Sequence, residues 1–142
     1  MNKKIIIDLN VSGRIPKPLS KRSIQKVIKH TAIFLKKQKV IIGLAFLSEN
    51  KMTTINQKYH HSFGPTDVLS FTYLSNRSII EGDILICPTY TKKLAKQNKS
   101  NYHQELQRLL IHGILHLAGY DHFTDKEEKK MFKIQEKLLQ EV

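Results

Sequence analysis

His112-Gly113-Ile114-Leu115-His116-Leu117-Ala118-Gly119-Tyr120-Asp121-His122 is the stretch on which the reading of this chain turns. Two histidines four apart on a helix lie one turn apart on the same face, with Cβ atoms about 5–6 Å apart. Imidazoles so placed can each bring a ring nitrogen to about 2.0–2.1 Å from one metal ion. Gly119 then lets the helix stop and the chain reverse, because glycine takes without steric cost the left-handed conformation that helix ends commonly need. The reversal brings His122 toward the pair. Three protein ligands leave a fourth position for water, the arrangement of a catalytic zinc rather than a structural one. One Zn2+ per chain at His112, His116 and His122 is therefore the first expectation.

The bland alternative has the three rings packing without metal. Leu106, Leu109, Leu110, Ile114 and Leu117 already supply the helix with packing residues, which leaves the two imidazoles one turn apart unexplained. The spacing is also that of the metzincin proteases, H-E-x-x-H-x-x-G-x-x-H. Here Gly113 stands where that pattern has the glutamate that serves as general base. Ligand geometry without the protease base points to a metal-activated water working on something other than a peptide bond.

Outward from this motif the chain alternates strand and helix signals. Lys4–Leu9 reads as a strand, and Asn10 to Pro18 as turns. A helix is expected from Ser20, its N-cap, to Lys37. The apolar run Val40–Leu47 suggests a strand buried on both faces. Ser48 opens a short helix to about Tyr59, and His60 to Pro65 is a loop closed by Thr66. Asp67–Tyr73 and Ile79–Cys87 read as strands joined by a turn at Asn76 and Arg77, with an irregularity at Gly82. Pro88 suits the first turn of the next helix, and the metal helix runs from about Asn101 to Ala118. Thr124-Asp125-Lys126-Glu127 is a capping box that opens a last helix with Met131, Ile134 and Leu138 inward. Met131, at helical spacing among apolar residues, reads as core rather than as a methionine turn. The fold class is α/β (α+β): one domain over residues 1–142, a mixed sheet of about four strands covered by about five helices, and a zincin-like metal helix. Strand order is not readable.

At 142 residues, 40% of them hydrophobic, the chain is long enough for one domain with a real core. Its single cysteine, Cys87, excludes an internal disulfide framework and a multi-cysteine zinc site, and suits a reducing compartment. No segment approaches the ~18–20 apolar residues of a membrane span. Ile5-Ile6-Ile7 is too short for a signal-peptide core, so a cytoplasmic protein is expected. The net charge of +12 is uneven. Residues 1–39 hold eleven Lys/Arg against Asp8 alone, a balance of +10, whereas residues 40–142 hold thirteen against eleven, +2. Arg22, Lys26, Lys29 and Lys36 fall on one side of the expected first helix, opposite Ile24, Val27, Ile28 and Leu35. Such a stripe is either a solvated face or a surface for a polyanion, since lysines that neutralise phosphates release counterions.

Asn56-x-x-Tyr59, Pro65-Thr66-Asp67-Val68-Leu69-Ser70-Phe71, Gly82-Asp83-Ile84 and the His112–His122 motif together resemble the YbeY family of bacterial metal-dependent endoribonucleases. The likeness covers most of the chain from about Val40 to His122. It implies a zinc ion on His112, His116 and His122, cleavage of single-stranded RNA, and a role in 16S rRNA maturation and ribosome quality control at the small ribosomal subunit. Two positions depart from the family pattern. The family carries an arginine after the tyrosine of N-x-x-Y where this chain has His60, and a proline after V-L-S-F where it has Thr72. An arginine's planar fork grips phosphate oxygens in pairs, whereas a histidine donates one hydrogen bond and is charged only when protonated. His60 is thus the candidate catalytic residue in the arginine's place, with Lys58, His61 and Arg77 as the other side chains for that role, or it is a plain loop histidine. Asp121 is read first as a turn residue and second as an acceptor for a ligand imidazole or a base. Asp67 and Asp83 are read as structural.

Three functions stay open: an RNA-cleaving zinc enzyme, a zincin-type peptidase or other metallohydrolase, and a non-catalytic, ribosome-associated RNA-binding metalloprotein. Single-stranded RNA, ribosomal RNA in particular, is the expected partner, with no membrane.

Overall fold

The computed structural model describes residues 4–60, 66–121 and 123–142. Along the chain come β1 (Ile6–Ser12), α1 (Lys21–Phe34), β2 (Lys39–Phe46), α2 (Glu49–His60), β3 (Val68–Ser75), β4 (Ile79–Ile86), α3 (Pro88–Gln97), α4 (Tyr102–Leu117) and α5 (Asp125–Glu141). Among the described residues four strands and five helices form a single domain, as the sequence pattern predicts. The strand order is β1-β2-β4-β3. β1 pairs parallel with β2 and β2 with β4, while β3 closes the sheet as an antiparallel edge on β4. No helix among the described residues is long and apolar enough to cross a membrane.

One sheet face carries the core. Val40, Ile42, Leu44 and Phe46 of β2 and Ile80, Ile84 and Ile86 of β4 are buried against Ile24, Val27, Ile28 and Ala32 of α1 and Leu106, Leu110, Ile111 and Ile114 of α4. The α1 set recurs at i, i+3, i+4, i+7 and i+8 once Thr31 is included, which is the spacing of one helical stripe. Thr31 is buried at no cost in lost hydrogen bonds, because its hydroxyl donates to Val27 O at 2.9 Å. The other face is covered in part. Met52, Leu69 and Cys87 form a small second cluster there with Ile55, Phe71, Leu85 and Tyr90.

Four features differ from the sequence reading. β1 continues through Asn10, Val11 and Ser12 because Leu9 and Val11 keep alternating into the core. α1 stops at Phe34 rather than Lys37. Lys36 takes a left-handed backbone (φ 57°), and the Lys36 and Lys37 amides donate to Ile33 O and Ala32 O, both at 3.0 Å, closing the helix as a Schellman motif. β2 is buried on one face only; Lys39, Ile41, Gly43 and Ala45 on the other are half-covered. The irregularity expected at Gly82 lies on its partner strand: β4 pairs with β2 without a break, and the register shifts in β3 between Thr72 and Leu74, leaving Tyr73 as the extra residue opposite Gly82. The Tyr73 hydroxyl donates to Asp83 Oδ2 at 2.5 Å. This bond holds the phenol above its ordinary pKa.

Candidate functional site

α4 begins at Asn101, whose side chain accepts from the Gln104 amide at 3.0 Å. From Leu106 onward it is buried on nearly every side, so its position is set by the sheet beneath it. Two small residues let it lie close. A Cβ at Gly113 would stand 2.9–3.1 Å from three side-chain atoms of Ile84, and one at Gly82 would meet Phe71 O at 2.4 Å and Leu117 Cδ2 at 2.5 Å. Gly113, the position of the missing glutamate, therefore faces β4. With 3.6 residues per turn it points away from the face that carries its neighbour His112.

On that face His112 and His116 are both half-buried. Their ring centroids are 4.6 Å apart and the planes meet at 73°. One turn later the helix closes as expected: Gly119 has φ +98°, its amide donates to His116 O and the Tyr120 amide to Leu115 O, each at 3.0 Å. Nothing lies within 4 Å of a Cβ built at Gly119, so backbone conformation and not space calls for glycine there. His122, the third expected ligand, lies outside the described residues, as do His61 and Pro65. Among the described residues no group of three or more His, Cys, Asp or Glu is arranged to hold a metal; the described part of the expected ligand set is the pair His112 and His116.

The pair has a support that the sequence reading missed. Nδ1 of His112 is 2.7 Å from Oε1 of Gln135 on α5. Gln135 is 6% exposed, and its Nε2 donates to Glu136 Oε2 at 3.2 Å. That contact orients the amide, because a carboxylate only accepts. Oε1 then faces His112, so Nδ1 carries the proton and donates. Nε2 of His112 is then the ring nitrogen through which this imidazole would bind a metal. Glu136 is itself gripped by Arg108 of α4, Nε to Oε2 at 2.8 Å and a terminal nitrogen to Oε1 at 2.9 Å, and Arg108 also pairs with Glu105. The Arg108 hydrogen bonds hold the Glu136 carboxyl below the ordinary range. Glu136 and, in the first place, its hydrogen bond raise Arg108. The signal for Gln135 was present: it is a polar residue in the apolar stripe Met131, Leu138, Leu139, and Ile134, read as inward, is only half-buried.

Asp67, read as structural, precedes β3 close enough to His112 to feel its charge. Burial raises its carboxyl above the ordinary value, and His112 pulls it the other way. Asp83 sits under Tyr73, as described. Asn56 is buried and Tyr59 stacks edge-on against Phe71 with centroids 5.5 Å apart, which seats the end of α2 against β3. His60 is the last residue of α2; its side chain is not among the described ones. Lys58 places its Nζ 5.3 Å from the centroid of the Tyr59 ring. Arg77 is in the turn at the far end of β3 from Asp67. Eight strand residues at about 3.3 Å each separate the two, so Arg77 does not stand in for a phosphate-gripping residue beside His112.

The family model described as Endoribonuclease YbeY matches residues 8–142. A protein of that name from Thermodesulfovibrio yellowstonii is 42% identical over 104 residues; the match covers 70% of this chain and 65% of that relative, just under two thirds of its length. Another, from Persephonella marina, is 34% identical over 145 residues and matches 98% of this chain and 92% of its own. The solution structure of TM1509 from Thermotoga maritima has a TM-score of 0.64 and 29% identity, covering 96% of this chain and 88% of that one.

Proposed function

Because the chain belongs to the Endoribonuclease YbeY family, we propose that it cuts single-stranded RNA with a zinc ion held by His112, His116 and His122, and that it acts in 16S rRNA maturation at the small ribosomal subunit. The observation that carries the metal part of this reading is the Gln135 contact, which sets His112 in the tautomer a metal needs. A half-buried i, i+4 imidazole pair followed by a glycine-closed reversal is the donor set that suits zinc. Bound there, zinc supplies Lewis acidity toward a phosphoryl oxygen and an acidified water with a pKa of about 7.

The chain's own residues do the rest by holding geometry. α4, pressed onto β4 at Gly82 and Gly113, fixes the helix axis. The Arg108–Glu136–Gln135 series fixes one ring's rotation, and the Schellman turn fixes where the chain leaves the helix. His60, at the end of α2, is the proposed hydrogen-bond donor to a substrate phosphate in place of the family's arginine. The peptidase alternative is weakened further by position 113. A side chain there is directed at Ile84, and no carboxylate base is restored from that site.

The test is cleavage of an unstructured RNA by the purified protein, with and without a chelator. Chelation and His116→Ala should each abolish cutting, and added zinc should restore it only to the wild type. Cutting that persists in a metal-free preparation overturns the zinc reading while leaving family membership untouched.

A further inference from the structure

The positive charge of this chain is gathered where the site just described is not. α1 contains no acidic residue. On its outer face Arg22, Lys26 and Lys29 follow one another at i, i+4 and i+7, all exposed. Lys36 stands just past the helix end and Lys4 just before β1. These five cations, with Ile6 and Ile33, line one open groove between α1 and the outer edge of β1. The two isoleucines are 57% and 56% exposed. Among the described residues none of the five cations makes an ion pair. Lys37, also on the rim, is turned elsewhere and donates to Asn76 O at 2.6 Å. β1 is one edge of the sheet and β3, which Asp67 precedes, is the other. The groove is therefore separated from the His112 side by the width of the sheet, about three strand spacings of 4.8 Å.

A row of like charges one helical turn apart is unfavourable by itself, a few tenths of a kcal/mol per pair. The exposed face of α5 avoids this by interleaving Glu127, Glu128, Lys129, Lys130 and Lys133. Lysines also protect free sheet edges from pairing with other chains, but that use puts them on the strand, and here three of the five stand on the helix. An anionic bilayer would require a flat or convex contact, whereas these cations flank a trough walled by a helix and a strand edge. A phosphate chain fits such a trough, and the isoleucines offer apolar contact to sugars or base faces.

We propose that this groove is a second RNA contact, a docking surface for the phosphate backbone of the substrate outside the segment being cut. It rests on the reading that RNA is the substrate, but not on zinc. It reads charge and not sequence, because phosphate contacts position a nucleic acid without specifying its bases.

The test is fluorescence anisotropy of a labelled oligouridylate in chelator, with the probe's intactness checked on a gel, across a salt series. The probe is bound to the wild type, to the triple variant Arg22→Glu/Lys26→Glu/Lys29→Glu, and to a charge-neutral triple with Gln at the same positions. Each phosphate neutralised contributes about 0.7 to the slope of log affinity against log salt for a single strand. Both triples should bind at least tenfold more weakly, and the Gln triple's slope should fall by about 2. With metal restored, a short oligonucleotide that covers only the cut site should be cleaved at the wild-type rate, while a long RNA shows a raised KM and an unchanged kcat. Unchanged affinity and slope in the folded Gln triple overturn the proposal. So does wild-type protein that binds phosphatidylglycerol vesicles or a polyglutamate peptide in preference to the RNA. Cutting of the short oligonucleotide reports on the His112 site independently, so failure of the groove and failure of the metal reading are told apart.

Discussion

Replacing Gln135 with leucine removes the acceptor of the His112 Nδ1 proton and little else. The 2.7 Å contact is from a residue only 6% exposed, so water does not readily take its place. Residues that orient metal-binding imidazoles are worth about 10–100-fold in metal affinity, or about 1.4–2.8 kcal/mol. In the metal-free protein the exchange is milder. Leucine has similar bulk and joins Met131, Leu138 and Leu139 on the same helix face, and the bond lost to Glu136 is long at 3.2 Å. Stability without metal should change by about 1 kcal/mol or less. Competition against a chromophoric zinc chelator, paired with thermal unfolding in chelator, separates the two effects. Gln135→Leu should bind zinc tenfold to a hundredfold more weakly at nearly unchanged unfolding midpoint, and Gln135→Glu, which keeps an acceptor, should recover most of the affinity. A leucine variant with wild-type zinc affinity would refute the tautomer argument.

Three further outcomes follow from packing, backbone and charge. Gly113→Ala drives a methyl to within 2.9–3.1 Å of Ile84 and should cost about 1–2 kcal/mol in chemical denaturation, reduced in the background Ile84→Val; an unaffected single variant would mean that α4 sits less tightly than described. Lys99, at φ 54° after α3, should gain about 1 kcal/mol on Lys99→Gly, because the left-handed strain is removed; a loss in urea midpoint would contradict it. The Glu136 carboxyl is held below its ordinary value of 4.5 by Arg108, so its contribution is full above about pH 4.5 and drains away as pH falls through the folded-state value. Glu136→Gln should therefore flatten the acid limb of a stability-versus-pH curve, and a limb as steep as the wild type's would assign that loss to other groups.

The helix of the histidine pair was legible because everything that builds it is local: the stripe Leu106, Leu110, Ile114, the four-residue histidine spacing and Gly119. Thr124 was legible for the same reason, and its side chain does accept from the Glu127 amide at 3.1 Å. What failed to read was set at a distance or against propensity. The chain between β2 and β4 contains β3, yet β4 takes the place beside β2, and no local pattern records that choice. Lysine fills the left-handed position after α1 where glycine would have announced it. Tyr73 is the extra residue in β3, and the pairing with β4 that makes it so is not written in the local pattern. Gln135 meets His112 across 23 residues of chain. Its polarity inside an apolar stripe was visible, but its partner was not. His122 and the His60 side chain stand in the sequence reading alone.

X-ray absorption at the zinc edge of the purified, zinc-loaded protein tests the central claim most directly. Three imidazoles at His112, His116 and His122 predict one zinc per chain, with a first shell of about four nitrogen or oxygen atoms near 2.0–2.1 Å. The ring scattering should be that of three histidines, falling to two or fewer in His116→Ala. A sulfur in the shell, a fourth imidazole, or a wild-type protein that retains no zinc would contradict it.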